Sequence, residues 1–595
     1  MDKVKIAVIG LGPAGLAALK SLREEGFDAI AFERRDQIGG LWAFNSDETY
    51  TSALEETLCN VSKFNSGFSD FPVSKDASTY FTSQEVAEYL EGYASKFGLH
   101  PHIRFGSTVN RVTRNEADDK WDVHISTSKG SQTLPFDKVV FGHGNNSVPS
   151  YPTMPNRTKF KGTIMHGQTF KGPKSFAGKR VLVVGIGNSA CDASLSLVNH
   201  ASKVYQSYRR GRLMVSRYEN DGLPLGTQFA WPMLRLKYVL DRWFPSLMRW
   251  VGDNYMINKM ITDASRSEPA KLGESPKDRW KRTEQLVRGD WRLLPAASMA
   301  HDNPTVQEHF IPALRRGDIV PMHGFKDFCG ASEVLLMDGT VVEVDAVIFC
   351  TGYELEFSIM PEIEMDGACG MELQTAGNII NKRQFDESGT IMKSSEERKL
   401  PHLPRLYQTI FPPRWASSIA FLSWMAPQEN AWCVAELAAM AVAQIWAGET
   451  AGKAPNGNLV SAKLPSVDEM NNEVDAYHAW WRQSWQEEHS MLPGYVRAYS
   501  FYRFLHGAAG TGLYERLDHM FSTPGWDLWW NDHELWTWLA KGPMNSYSWR
   551  LFETNPGNVP GCGRKTWPEA RKTLKEAYEI FQDYKRQQKD KSKDD

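Results

Sequence analysis

Apolar positions along the chain follow a repeated rhythm of strand, glycine turn, helix and strand. Val4 to Ile9 is an apolar run too short for a helix. Ala14 to Glu25 then carries helical periodicity, and Ala29 to Phe32 reads as a second strand. The rhythm returns at Arg180 to Val184, with a glycine turn, a helix, and a strand from Lys203 to Tyr208. A third run, Asp345 to Tyr353, reads as a buried strand ending in Thr-Gly. Two such units imply two nucleotide sites and an α/β fold of two nested Rossmann-like dinucleotide-binding domains. From about residue 470 the pattern is helical and rich in Trp, including Trp480, Trp481, Trp529 and Trp530. The last helix opens with Pro568 in its first turn and carries Ala570, Leu574, Ala577, Tyr578 and Phe581 on one face.

The first turn, Gly10-Leu-Gly12-Pro13-Ala14-Gly15, lies between a strand and a helix, which is the context a dinucleotide site requires. Gly10 permits the tight turn, Gly12 lets the backbone approach a pyrophosphate, and Gly15 lets the helix pack close on the strand. The phosphates would meet the positive end of the helix dipole. Glu33 stands at the end of the second strand, placed for ribose hydroxyls, and its charge disfavours a 2′-phosphate. The second turn, Gly185-Ile-Gly187-Asn188-Ser189-Ala190, repeats this logic with Ala190 in the third glycine position. After its strand come Arg209 and Arg210, where the first unit has Glu33, and guanidinium groups there suit a 2′-phosphate. The contrast assigns FAD to the first site and NADPH to the second.

Composition adds exclusions. A chain of 595 residues exceeds a single hydrophobic core. With 42% hydrophobic and 23% charged residues it reads as a soluble globular protein, and a net charge of −3 gives no reason to expect a nucleic-acid partner. Seven scattered cysteines without a CxxC pair argue against a disulfide framework and against a metal site. With no secretory leader read at the start, a cytosol-facing location is expected. No apolar run approaches the roughly 18–20 residues of a bilayer span, and Leu437 to Ala447 reads as a buried helix. Leu234 to Val251 mixes Trp and aliphatic residues with Arg and Lys. It is read as a helix packed on its own protein in preference to one at a membrane interface. The end, KRQQKDKSKDD, reads as a solvated tail.

Several segments in order resemble the flavin-containing monooxygenase family of class B flavoprotein monooxygenases. Glu33-Arg34 with Gly39-Gly40-Leu41-Trp42 is similar to its ERxxxxGGLW stretch, and Asn60-Val61-Ser-Lys63 and Phe68-Ser-Asp-Phe-Pro72 to its NxSK and FSDFP elements. Phe160 to Phe170, with Gly162 and His166, fits the FxGxxxHxxx(F/Y) pattern, and Gly185 to Asp192 looks like the NADPH motif. Phe349-Cys-Thr351-Gly352-Tyr353 resembles a linker, Leu406 to Pro413 a further element, and Tyr547 to Phe552 with Trp567 to Arg571 the late segment of animal members. Carried over, the cofactor-binding set is Gly10, Gly12, Pro13, Ala14, Gly15, Glu33, Arg34, Gly40, Leu41, Trp42, Asn60, Val61 and Val109 for FAD. For NADPH and the linker it is Gly185, Gly187, Asn188, Ser189, Ala190, Asp192, Arg209, Arg210, Thr351 and Gly352.

The resemblance implies four regions. These are 1–170 as the first part of the FAD domain, 171–340 as the NADPH domain with a helical insertion, 341–465 as the second part of the FAD domain, and 466–595 as a helical region with a charged tail. It implies that NADPH reduces FAD, that reduced flavin and O₂ give a C4a-hydroperoxide protected by NADP⁺, and that a nucleophilic nitrogen, sulfur or activated carbon of a small organic substrate takes the distal oxygen. Asn60 is the one side chain carried over as catalytic, and His166 is read as a domain-linking group. Phe170-Lys171 favours the heteroatom-oxygenating branch over Baeyer–Villiger relatives. An NADPH oxidase or reductase releasing hydrogen peroxide stays open, because Ser423 to Trp432 lacks the family's Gly. Gln428, Glu429 and Asn430 are expected to alter the substrate cavity, and the insertions at 234–290 and 364–400 have no family counterpart. Family members in animals end in a hydrophobic anchor. The charged end here implies a soluble enzyme or one peripheral to an intracellular membrane, of undefined oligomeric state.

Overall fold

The computed structural model describes residues 3–594 apart from 369, 382–399, 452–462, 519–521, 556–558 and 565. The apolar runs form two five-stranded parallel sheets. The first has the spatial order Ile419–Phe421, Lys138–Phe141, Lys5–Ile9, Asp28–Phe32, Ile103–Arg104. The second has the order Ile319–Met322, Lys203–Ser207, Arg180–Val184, Ala346–Phe349, Thr163–His166. Their central strands are continuous hydrophobic runs because helices and added strands cover both faces, as parallel sheets require; Ile6 to Val8 and Val181 to Val183 are fully buried. The first sheet is finished only when the chain returns from the second with Ile419–Phe421, so one unit is inserted in the other.

The sheets correct the domain limits read from sequence. Thr163–His166 and Ala346–Phe349, assigned to the first unit by boundaries at 170 and 340, both pair in the second sheet. The half-exposed edge strand Thr163–His166 lacks the apolar run that would have marked it. Most of the insertion at 364–400 lies outside the described residues; its start pairs Glu364–Asp366 with Leu373–Thr375. The charged C-terminal end continues the final helix, Ala570–Asp594.

The helix Ala431–Ala451 packs against the first-turn helix Pro13–Glu24 and against Ala498–Ala509. Among the described residues it is the one helix long and apolar enough to cross a membrane, but 83% of that span is buried inside the protein, as expected for a core helix. The expected single helix at 234–251 is instead two, Trp231–Trp243 and Pro245–Ser267, which meet at Phe244-Pro245. The first helix buries Trp231, Arg235 and Tyr238 but leaves Met233, Leu236 and Trp243 exposed. Packing on its own protein therefore accounts for one face only.

A buried charge network ties the C-terminal region to the first unit. Arg550 meets Glu24 at 2.8 Å and Asp70 at 3.3 Å, Lys20 meets the same two carboxylates at 2.8 and 2.5 Å, and Arg564 reaches Glu24 at 3.3 Å. Arg550 Nε also donates to Ser69 Oγ, which donates to Glu436 at 2.6 Å. Burial works against the Glu24 charge, yet Arg550, Lys20 and Arg564 hold its carboxyl well below the usual range. Glu436 has no cation so close. Burial and the nearby Asp70 charge push it up to about 7. The Phe68-Ser-Asp-Phe-Pro72 and Tyr547-Ser-Trp-Arg-Leu-Phe552 segments thus meet through Asp70 and Arg550.

Removing Arg550 leaves Glu24 and Asp70 only partly compensated by Lys20 and Arg564, at a cost on the order of a few kcal/mol. Arg550→Met should lower the thermal midpoint and expose the C-terminal region to limited proteolysis before the sheets. An unchanged midpoint and cleavage pattern would remove the network from the account of stability.

Candidate active site

The first turn is built by geometry only glycine satisfies. Gly10 has φ of +87°, and a Cβ there would stand 2.7 Å from His143 Cα. A Cβ at Gly15 would stand 1.9 Å from Gly10 O. Gly12 caps the helix Pro13–Glu24 with no side-chain hydrogen bond, so the first amides, with Ala14 in that turn, are left for another acceptor. Gly40, at φ +57°, packs its Cα side directly on Gly12, where a Cβ would stand 2.8 Å from Gly12 Cα. This holds Leu41 and Trp42 beside the turn. His143 Nδ1 is buried with no hydrogen-bond partner among the described residues, and burial, helped by the Arg34 charge, pulls the ring's pKa down to about 4. Uncapped amides and an orphaned ring nitrogen around an open glycine turn fit a bound diphosphate group.

Glu33 sits where the sequence places it, but its carboxylate is turned to the loop. Oε2 accepts from Leu11 N at 2.7 Å and Oε1 from Arg35 N at 3.0 Å. Ser107 N donates to Glu33 O, which brings the strand holding Val109 to the same edge. Arg34 is exposed and stacks over Tyr50, whereas Arg35, not singled out by sequence, is buried and donates to the carbonyls of Gly40, Ala43 and Thr51.

The second turn matches the first. Gly185 has φ of +131°, and a Cβ there would lie 2.4 Å from Cys350 O. Gly187 leads the helix Asn188–Leu197 with no side-chain cap. Ala190 is fully buried, so its methyl group fits the helix–strand contact, and Ser189 is exposed. Asn188 Oδ1 accepts from Val306 N at 3.1 Å. Asp192 is engaged by protein, accepting from Gln307 at 2.9 Å and from Thr57 Oγ1 at 3.3 Å. The two arginines after the strand also differ. Arg210 pairs with Glu488 at 3.2 Å, whereas Arg209 is exposed and makes no ion pair among the described residues.

Arg217 brings the units together. It is 4% exposed and comes from the second unit, where it pairs with Glu308 at 2.8 Å. Its other nitrogens donate to Cys59 O at 3.0 Å, Leu58 O at 3.1 Å and Asn60 Oδ1 at 3.3 Å. With the Thr57–Asp192 contact, this presses the loop bearing Asn60 and Val61 against the second turn. No motif in a single sequence marks Arg217. His166 lies at the crossing of the linkers: Nδ1 accepts from Gln168 N at 3.1 Å, the ring stands edge-on to Tyr151 and Tyr353, and burial lowers its pKa to about 4. Thr351 donates to Ser150 O and Gly352 O accepts from Ser150 N, closing the same crossing.

Ser423 to Asn430 passes from Gly144, beyond the first turn, to the loop after Asn60. Gly144 N donates to Ser423 Oγ, and Asn430 Nδ2 donates to Ser66 Oγ at 2.9 Å. A small cleft opens between His143, Ser147, Phe357 and Trp424. Gln428 accepts from Lys237, while Glu429 accepts from Tyr238 at 3.1 Å and pairs with buried Arg235 at 3.3 Å. The segment without the expected Gly is therefore gripped by the insertion.

The family model described as Flavin-binding monooxygenase-like matches residues 3–366. The Monooxygenase aurF of Gibberella zeae is 31% identical over 576 residues, 96% of this chain and 97% of that protein. Dimethylaniline monooxygenase [N-oxide-forming] 2 of Oryctolagus cuniculus is 32% identical over 366 residues, 60% of this chain and 63% of its own length. The fold is shared with cyclohexanone monooxygenase from Rhodococcus sp. Phi1 bound to NADP⁺, at TM-score 0.55 and 18% identity, covering 86% of this chain and 98% of that one. It is also shared with S-allyl-L-cysteine S-oxygenase from Allium sativum, at TM-score 0.52 and 19% identity over 85% and 88% of the two chains.

Loss of one charge-assisted hydrogen bond costs about 1.5–3 kcal/mol, roughly tenfold to a hundredfold in affinity. Arg209→Ala should raise the NADPH KM by such a factor and leave the NADH KM nearly unchanged, with Arg210→Ala much milder. Equal effects of Arg209→Ala on both nucleotides would take the 2′-phosphate away from it.

Proposed function

The chain belongs to the flavin-binding monooxygenase-like family, whose members use FAD and NADPH, and from that premise we propose how its residues divide the work of oxygenating a small organic substrate. The substrate atom is a nucleophilic nitrogen or sulfur, or an electron-rich carbon. The reading is carried by one observation: Arg217 and the Thr57–Asp192 contact hold the Asn60 loop of the first unit against the uncapped helix of the second.

Bound FAD and NADPH supply the hydride and oxygen-activating chemistry. The chain binds, orients and shields. Gly10, Gly12, Pro13, Ala14, Gly15 and Gly40 cradle the FAD diphosphate, with Glu33 and Val109 toward its adenosine end and Leu41, Trp42 and Val61 along the loop. Gly185, Gly187, Asn188, Ser189 and Ala190 present the second helix end to NADPH, and Arg209 reads the 2′-phosphate. Asp192 acts by joining the units, and Arg34, Arg210, Thr351 and Gly352 frame the site. Asn60, a neutral amide, both donates and accepts without a pH-dependent charge. With Oδ1 accepting from Arg217, Nδ2 is the group that would donate to the cofactors. Ser423 to Asn430, braced by Arg235 and Tyr238, excludes water that would promote wasteful release of peroxide. Peripheral contact with a membrane belongs to the same proposal.

The test is the balance of NADPH consumed against oxygenated product and hydrogen peroxide, over a panel of amines, sulfides, electron-rich aromatics and a cyclic ketone. Product matching NADPH for at least one class supports oxygenation, and lactone from the ketone alone would favour the Baeyer–Villiger reading. Peroxide equal to NADPH throughout the panel makes the chain an oxidase. Asn60→Ala should keep its FAD and its rate of reduction while the peroxide share rises severalfold. Unchanged peroxide and product yields would remove Asn60 from the reaction.

A further inference from the structure

The two arginines after the second glycine turn meet unequal surroundings, and the inequality comes from a distant part of the chain. Gly185 N donates to Ser207 O at 2.9 Å, so the strand Lys203–Ser207 ends beside the turn and delivers Arg209 and Arg210 next to it. The backbone that follows is pinned. A Cβ at Gly211 would stand 1.9 Å from Leu293 O, and Arg212 pairs with both oxygens of Asp302 at 2.6 and 2.8 Å. What Arg210 meets from this fixed point is Glu488, the residue after the helix Val467–Glu487, whose Oε1 lies 3.2 Å from Arg210 Nη1. The carboxylate is itself held from behind. Ser298 N donates to its two oxygens at 3.3 and 3.1 Å, and His301 Nδ1 lies 2.9 Å from Oε2. Burial works against the Glu488 charge, yet His301, the Ser298 N–H and Arg210 hold its carboxyl below the usual range.

A carboxylate at the C-terminal end of a helix faces the negative end of the dipole, so its own helix does not favour Glu488 there. Its partners Arg210, Ser298 and His301 all belong to the second unit. Arg209, by contrast, is exposed and makes no ion pair among the described residues. One guanidinium beside the turn is thus left open, and the other is neutralised by a fixed anion. Specificity is a difference of two affinities, here between dinucleotides with and without a 2′-phosphate. A free Arg210 would widen that difference. An anion fixed on it narrows the difference, by competing for the guanidinium and by repelling the phosphate. We propose that Glu488 sets the coenzyme preference of the second site: it sequesters Arg210, leaves Arg209 as the reader of the 2′-phosphate, and moderates the preference for NADPH over NADH. Glu488 is a positioning residue, acting through Arg210, and its role rests on the reading of the second turn as the NADPH site. Control of coenzyme choice is thereby lodged in the C-terminal region, which carries no nucleotide motif of its own.

Binding of NADP⁺ and of NAD⁺ to the oxidised holoenzyme would be measured by calorimetry for the wild type, Glu488→Gln, Arg209→Ala, Arg210→Ala, and Glu488→Gln combined with Arg210→Ala. Glutamine keeps an acceptor for Ser298 and His301 and removes the charge. Glu488→Gln should tighten NADP⁺ roughly tenfold with little change for NAD⁺, and the NADPH KM should fall in step while the NADH KM stays. Adding Arg210→Ala should return most of that gain, whereas Arg210→Ala alone should be mild. A ratio of NADP⁺ to NAD⁺ affinity that stays at the wild-type value in Glu488→Gln overturns the proposal, because a merely structural tie would move both nucleotides together. Weaker NADP⁺ binding, or a gain that survives the loss of Arg210, overturns it as well. Arg209→Ala separates the two levels. A selective loss of NADP⁺ there, beside an unmoved ratio in Glu488→Gln, leaves the NADPH site standing and removes Glu488 alone. Equal losses of both nucleotides in Arg209→Ala remove the NADPH reading and the role of Glu488 with it.

Discussion

One buried guanidinium sets the distance on which the site depends. Each glycine turn is complete within its own sheet. What makes them one site is Arg217, whose Nε and Nη2 are spent on main-chain carbonyls of the Asn60 loop while Nη1 is paired to Glu308 in its own unit. A buried arginine can span two units this way because its planar fork presents five donors in fixed directions, and a lysine could not satisfy the same set. Asp192 adds a second tie through Thr57. Its carboxyl, raised by burial despite Gln307 and more distant Arg217, is a joint between the two units.

A second set of buried charges makes the last third of the chain part of the first unit. Glu24 ends the first-turn helix, Asp70 sits in the loop after Asn60, and both are neutralised by Arg550 from far along the chain. The helix that follows the first glycine turn is therefore anchored at its C-terminal end by the C-terminal region. Ser69 and Glu436 extend the same anchor to the core helix Ala431–Ala451, which follows directly on the segment Ser423 to Asn430. The C-terminal helices thereby brace the elements that carry the first glycine turn.

What was legible in the sequence is what local geometry ties to residue type. A positive φ at Gly10, and the absence of room for a Cβ at Gly15 and Gly185, leave no residue but glycine, so the turns could be read at sight. The strands Lys5–Ile9, Asp28–Phe32, Arg180–Val184, Lys203–Ser207 and Ala346–Phe349 followed from their apolar runs, whereas Lys138–Phe141, the half-exposed edge strand Thr163–His166 and the other short strands of the two sheets were not read. Paired arginines were not resolvable. Arg34 with Arg35, and Arg209 with Arg210, differ in the structure by which one turns inward, and that depends on partners such as Gly40 O and Glu488 hundreds of residues apart or in an irregular loop. Arg217 and Arg550 were silent for the same reason, since a long-range ion pair leaves no spacing to read.

The insertion at 231–267 marks where a hydrophobic pattern stops being decisive. A helix apolar on both sides reads from sequence as a buried helix, because burial is the common way to satisfy two apolar faces. Here the inner face is satisfied by protein. Arg235 lies among Trp231, Tyr238, Tyr502 and Tyr514 and holds Glu429, and burial that would otherwise discharge Arg235 is outweighed by that carboxylate. The outer face, about one-third of a turn away, stays largely exposed among the described residues. The same thirteen-residue helix therefore grips the segment Ser423 to Asn430 with one side and presents bare Met233, Leu236 and Trp243 with the other. A rigid element with those two faces cannot move at one without moving at the other, so whatever covers the outer face is mechanically joined to that segment.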